Sequence, residues 1–98
     1  MSFEDKLHML VRRHQELSDT LAAGKAGGQE FAKMSKEYAD LTPLVEVISG
    51  YMGAKKSLAD LEQMVKDPAC DAEMKKMAEE EMRDLTQKLP EMTKNVQL

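Results

Sequence analysis

Tryptophan is absent, and aromatic residues are 4% of the chain: Phe3, Phe31, Tyr38 and Tyr51. A core built from this sequence must be aliphatic and rich in methionine, of which there are nine. Cysteine is used once, at Cys70. That excludes an intramolecular disulfide and a CxxC or zinc site, and fits a reduced, cytoplasmic setting. No stretch approaches the ~20 apolar residues of a membrane span. The start, Met1-Ser2-Phe3-Glu4-Asp5-Lys6, lacks the basic segment and apolar run of a signal peptide. There is no excess of positive charge either. The formal net charge is −4, which argues against a nucleic-acid domain working through bulk charge. Residues 1–28 hold four basic and four acidic side chains, 29–70 five and seven, and 71–98 five and seven. Charge is therefore interspersed along solvated faces.

What is present is helical periodicity, three times over. Phe3, Leu7, Leu10, His14, Leu17 and Leu21 step by four and three. So do Phe31, Met34, Tyr38, Leu41, Val45, Ile48 and Met52, and again Ala78, Met82, Leu85, Leu89, Met92 and Val96. Each set lies on one stripe of a helix, and three stripes in 98 residues must bury one another.

The punctuation sets the boundaries. Ser2 is the expected cap of a helix running from about Phe3 to Ala23, with Glu4 and Asp5 favourably placed in its first turn. Gly24 ends it, and residues 24–28 form the turn. A second helix starts near Gln29. Thr42 can cap a new helix with Pro43 at its first position, but the stripe keeps phase from Leu41 to Val45, so a kink or re-start along one axis, not a corner, is expected. Gly50 and Gly53 weaken the middle, and the stripe then drifts to Tyr51, Ala54, Leu58, Leu61 and Val65. Asp67-Pro68 stops this helix, and Asp71 caps a third with Glu73 in its first turn. Pro90 is read as another kink. The expected fold is all-α, a single domain over 1–98. It is an elongated antiparallel three-helix bundle with a long kinked second helix and a projecting two-helix hairpin arm whose tip lies near residues 67–71.

Two segments carry a resemblance. One is Lys36-Glu37-Tyr38-Ala39-Asp40-Leu41-Thr42-Pro43-Leu44-Val45-Glu46. The other is Asp67-Pro68 followed by Glu73-Met74-Lys75-Lys76-Met77-Ala78-Glu79-Glu80-Glu81. In order and spacing they resemble the N-terminal helical domain of bacterial class I peptide chain release factors, the UAA- and UAG-reading type more than its UGA-reading sister. The resemblance covers nearly the whole chain. It implies a longer protein, of which this is an N-terminal fragment, and the helical pattern still running at Leu98 agrees. It implies that the intact protein recognises stop codons on the ribosome and promotes peptidyl-tRNA hydrolysis through parts beyond Leu98. For this domain it implies a non-catalytic interaction role, toward the ribosomal stalk base and the class II GTPase release factor. No cofactor, membrane or small-molecule substrate is implied, and self-association of the fragment stays open.

The family's hydrolytic loop is Gly-x-Gly-Gly-Gln followed by x-Val-Asn. Gly27-Gly28-Gln29 looks like it, but Lys25 replaces the leading glycine and Glu30-Phe31-Ala32 follow. The tripeptide is read as a coincidental turn. His14 is read as a half-buried, hydrogen-bonded stripe residue and His8 as surface; no second ligand lies at metal spacing. Met34, Met52, Met82 and Met92 fall on stripes as core filler. Met9, Met64, Met74 and Met77 do not fall clearly, and any exposed subset would form a partner patch. Lys55, Lys56, Lys75 and Lys76 are the candidate partner surface, able to meet ribosomal RNA phosphate. The alternative reading of the whole is a generic helical coiled-coil adaptor or chaperone-like binding module.

Overall fold

The computed structural model describes residues 2–97. Every regular element among them is an α-helix: α1 (Phe3–Ala23), α2 (Gly28–Lys66) and α3 (Ala72–Asn95). The all-α class and the order of elements are those expected. No helix of the described residues is long and apolar enough to cross a membrane. Leu98, where the pattern was expected to continue, lies outside the described residues. Before it, α3 closes at Asn95 with tightened bonds, Val96 N–H to the Thr93 carbonyl at 3.3 Å and Gln97 N–H to the Lys94 carbonyl at 3.3 Å.

The caps explain the boundaries. Ser2 and Asp5 form a reciprocal capping box: Asp5 N–H donates to Ser2 Oγ at 3.1 Å, and Ser2 N–H donates to Asp5 Oδ2 at 3.2 Å. Gly24 ends α1 in the left-handed region at φ 68°, a conformation open to glycine at little cost. Asp71 Oδ1 accepts the Met74 N–H at 2.8 Å, capping α3.

Thr42 does not cap a new helix. Its hydroxyl donates to the Tyr38 carbonyl at 2.8 Å, back along a helix that continues through Pro43. Pro43 leaves the Ala39 carbonyl without its helical donor. Both residues are exposed, so water can serve that carbonyl. α3 passes Pro90 in the same manner, and Pro90 too is exposed.

The described chain divides into two compact units, one ending at Ser49 and the other starting at Gly50. α2 supplies a helix to each. In the first unit, α1 and the start of α2 pack side by side across a short connection, joined by the Arg13–Glu37 and His14–Thr42 contacts. Leu7, Leu17, Val45 and Ile48 are its buried side chains. In the second unit, the rest of α2 packs on α3. Met92 Cε lies 3.8 Å from the position a β-carbon on Gly50 would take, an ordinary van der Waals distance that sets Gly50 level with Met92. The buried face follows the expected drift through Tyr51, Ala54 and Leu61, opposite Ala78. Met52, placed on the stripe by spacing, is only half-buried, because the face has passed to Tyr51.

Candidate functional site

The turn between α2 and α3 is locked by its aspartates. Asp67 Oδ1 accepts the Ala69 N–H at 2.9 Å, and the Asp67 carbonyl accepts the Cys70 N–H at 3.1 Å. Pro68, which has no N–H, sits between them. This tight closure brings Met64, near the end of α2, beside Met74, in the first turns of α3.

A cleft of about 210 Å³ opens there, lined by Leu61, Met64, Met74, Met77, Ala78 and Glu81. Leu61 and Ala78 are buried and form its floor. The small side chain of Ala78 leaves the space that a leucine at this stripe position would fill. The three methionines stand on its sides, 40%, 51% and 66% exposed for Met64, Met74 and Met77. Exposed, flexible thioethers around an apolar floor suit an apolar side chain of varied shape. The methionines that periodicity left unplaced therefore include a surface group of three. Met34, Met52, Met82 and Met92, read as core filler, are half-buried.

The four candidate lysines are all exposed. Lys55 lies one turn from Tyr51, its Nζ 5.4 Å from the ring centroid, a cation–π contact. The antiparallel pairing, Gly50 with Met92 and Leu61 with Ala78, sets Lys55 and Lys56 about ten residues along α2 from the level of Lys75 and Lys76, roughly 15 Å. The lysines form two separate pairs.

In the first unit, Gly27 lies in the α1–α2 connection, Gly28 opens α2 at φ 61°, and Gln29 is an exposed residue in the first turn of α2. His14 is half-buried with Nε2 2.9 Å from Thr42 Oγ1, as read from its stripe position, and His8 is exposed. Arg13 holds Glu37 through two bonds of 2.6 and 2.9 Å. That hydrogen bonding lowers the Glu37 pKa and raises that of Arg13. Among the described residues, no group of three His, Cys, Asp or Glu side chains is placed to hold a metal.

The described residues form paired helices, with an apolar cleft beside the turn between α2 and α3. The chain belongs to the PCRF domain family, whose sequence model matches residues 10–98. Among curated proteins it is similar to peptide chain release factor 1 of Rickettsia bellii (strain OSU 85-389), 38% identical over 97 residues, 99% of this chain and 27% of that protein. It is likewise similar to peptide chain release factor 1 of Rhodospirillum rubrum, 38% identical over 98 residues, all of this chain and 27% of that protein. The protein of the same name from Magnetococcus marinus is 37% identical over 100 residues, all of this chain and 28% of that protein. The chain thus spans about a quarter of the length of the curated relatives it matches. No solved structure matches it.

Proposed function

We propose that this chain is the helical interaction domain of a translation termination factor. The observation that carries this is the PCRF match over residues 10–98, together with similarity along the whole chain to proteins named peptide chain release factor 1. In this reading the intact protein works on the ribosome in the cytoplasm, recognises UAA and UAG, and promotes peptidyl-tRNA hydrolysis. Codon reading and hydrolysis belong to other parts of it. This domain is non-catalytic and engages the ribosomal stalk base and the class II GTPase release factor. Lys55, Lys56, Lys75 and Lys76 supply charge to that engagement; two separate pairs of exposed ammonium groups can reach separate phosphates.

The test is a chimaera. The segment is placed in a bacterial release factor 1 in place of the matching residues, and release is measured on ribosomes stalled at UAA, UAG and UGA. Release at UAA and UAG within a few-fold of the parent supports the reading. A stable chimaera that neither binds terminating ribosomes nor supports release would overturn it. Charge removal at the four lysines should weaken ribosome or GTPase-factor binding more at low salt than at high. Unchanged binding at low salt would return them to ordinary solvated surface.

A further inference from the structure

The methionine cleft lies between flanks of unlike charge. Successive residues of a helix are turned by about 100°. Starting from Ala78, which faces α2, Met74, Met77 and Glu81 fall to one side of α3. One turn before or after Met77 on that same side stand Glu73, Glu80 and Glu81, with Asp84 a turn further. On α2, Asp60 lies one turn before Met64. The other flank of α3 carries Lys75 and Arg83, with Glu79 the acid among them. On α2, Lys55, Glu62 and Lys66 lie opposite Met64, while Lys56 stands one turn before Asp60 on the Met64 side. On the cleft side of α3, positive charge returns only at Lys88, two turns beyond Glu81. Among the described residues, Glu73, Glu80, Glu81 and Asp84 form no ion pair.

A surface of this kind selects its partner by chemistry. Its floor is buried and apolar, its walls are deformable thioethers, and its rim is negative. Nucleic acid and lipid phosphate are repelled by the rim. An acidic peptide is repelled likewise. An amphipathic helix that presents one or two aliphatic side chains with lysine or arginine beside them satisfies both parts. The apolar anchor enters between Met64, Met74 and Met77, and the cations meet Glu80 and Glu81. We infer that the cleft between α2 and α3 is a docking site for a cationic amphipathic helix of a partner protein. The inference rests on the reading of this chain as an interaction domain and names the partner's chemistry.

The test uses the 98-residue chain with ¹³C-methyl-labelled methionine. The probes are a leucine–lysine amphipathic helix of about 18 residues, its leucine–glutamate twin and a single-stranded RNA of similar length. The leucine–lysine helix should bind and shift the methyl signals of Met64, Met74 and Met77 while leaving Met9 and Met34 in place. Glu80→Lys with Glu81→Lys should weaken it at least about tenfold. These are exposed positions, so the variant should keep its helical circular dichroism. Met77→Ser should weaken binding without altering charge. Lys75→Glu with Lys76→Glu, on other faces of α3, should not weaken it. No binding, equal binding of the glutamate twin or the RNA, or methyl shifts confined to Met9 and Met34 would overturn the inference. So would a charge-reversed variant that binds within twofold of the parent. A cleft that binds as described in a chain whose release-factor chimaera fails would remove the termination reading and leave the docking site standing.

Discussion

The imidazole of His14 lies flat on the ring of Tyr38, with centroids 4.4 Å apart and planes inclined by 13°. The same imidazole places Nε2 2.9 Å from Thr42 Oγ1. The single hydroxyl proton of Thr42 is committed to the Tyr38 carbonyl at 2.8 Å, so Thr42 must accept here and His14 Nε2 must donate. One histidine thus joins α1 to two successive turns of α2 through a stack and a bond of fixed direction. His14→Ala removes both and should cost ~1–2 kcal/mol in urea unfolding, while His14→Phe, which keeps the stack, should cost less. Nitrogen NMR should show the proton on Nε2. A neutral ring with its only proton on Nδ1 would contradict the hydrogen-bond assignment.

Burial separates two leucines that periodicity treats alike. Leu17 is fully buried, whereas Leu85 is half-buried. Leu17→Ala should therefore cost ~3 kcal/mol and Leu85→Ala about half as much, read as the difference in unfolding free energy. Equal costs at the two positions would show that the stripe, not the burial, governs the energetics.

The Arg13–Glu37 pair should be felt in acid. Hydrogen bonding by Arg13 lowers the Glu37 pKa in the folded chain. A carboxyl with a folded pKa below its unfolded one stabilises the fold above the ordinary glutamate range. That contribution fades as pH falls through the folded value. Glu37→Gln should flatten the fall of melting temperature between about pH 5 and 3 and change little at high salt. Both side chains are nearly half exposed, so the effect at neutral pH should be small. Parallel acid profiles for the parent and Glu37→Gln would remove the pair from the acid response.

Hydroperoxide treatment should oxidise Met77 before the half-buried methionines, because sulfoxide formation follows access and Met77 is 66% exposed. Peptide mass spectrometry after graded exposure gives the order. Met74 should follow closely, and Met52 or Met92 oxidising first would mean that the α2–α3 packing opens readily.

Gln29→Ala should leave the helical content and melting of the chain unchanged, since Gln29 is an exposed first-turn residue of α2. In the release-factor chimaera it should leave peptide release within about threefold of the parent. A loss above about tenfold, or ~1.4 kcal/mol in barrier, would give the Gly27-Gly28-Gln29 tripeptide a part in the chemistry.

Local signals made most of the fold legible. Ser2, Gly24 and Asp71 act within one turn of themselves, and α1 runs from Phe3 to Ala23 as their positions require. Thr42 was harder, because a threonine before proline can either cap a new helix or bond back to the old one. The turns on both sides decide it, and they favour continuity. The cleft was legible only in part. Periodicity showed that Met64, Met74 and Met77 had no firm place in the core. It did not show that they meet, since that depends on the tight closure by Asp67 and on the smallness of Ala78 at a position usually filled by a larger side chain. The lysines were legible as charge, but their division into two levels needed the register of α2 on α3.

Boundaries between compact units ordinarily fall in exposed linkers, where recombination or cleavage can separate the parts without harm. Here the division falls between Ser49 and Gly50, inside α2. Neither unit can be exchanged without taking a severed helix with it, and each severed end would expose a turn of unsatisfied backbone groups. The two units are thereby bound to a common inheritance. Variation that suits the methionine cleft of one must arise by point substitution within a piece that also carries the Arg13–Glu37 and His14–Tyr38 contacts of the other.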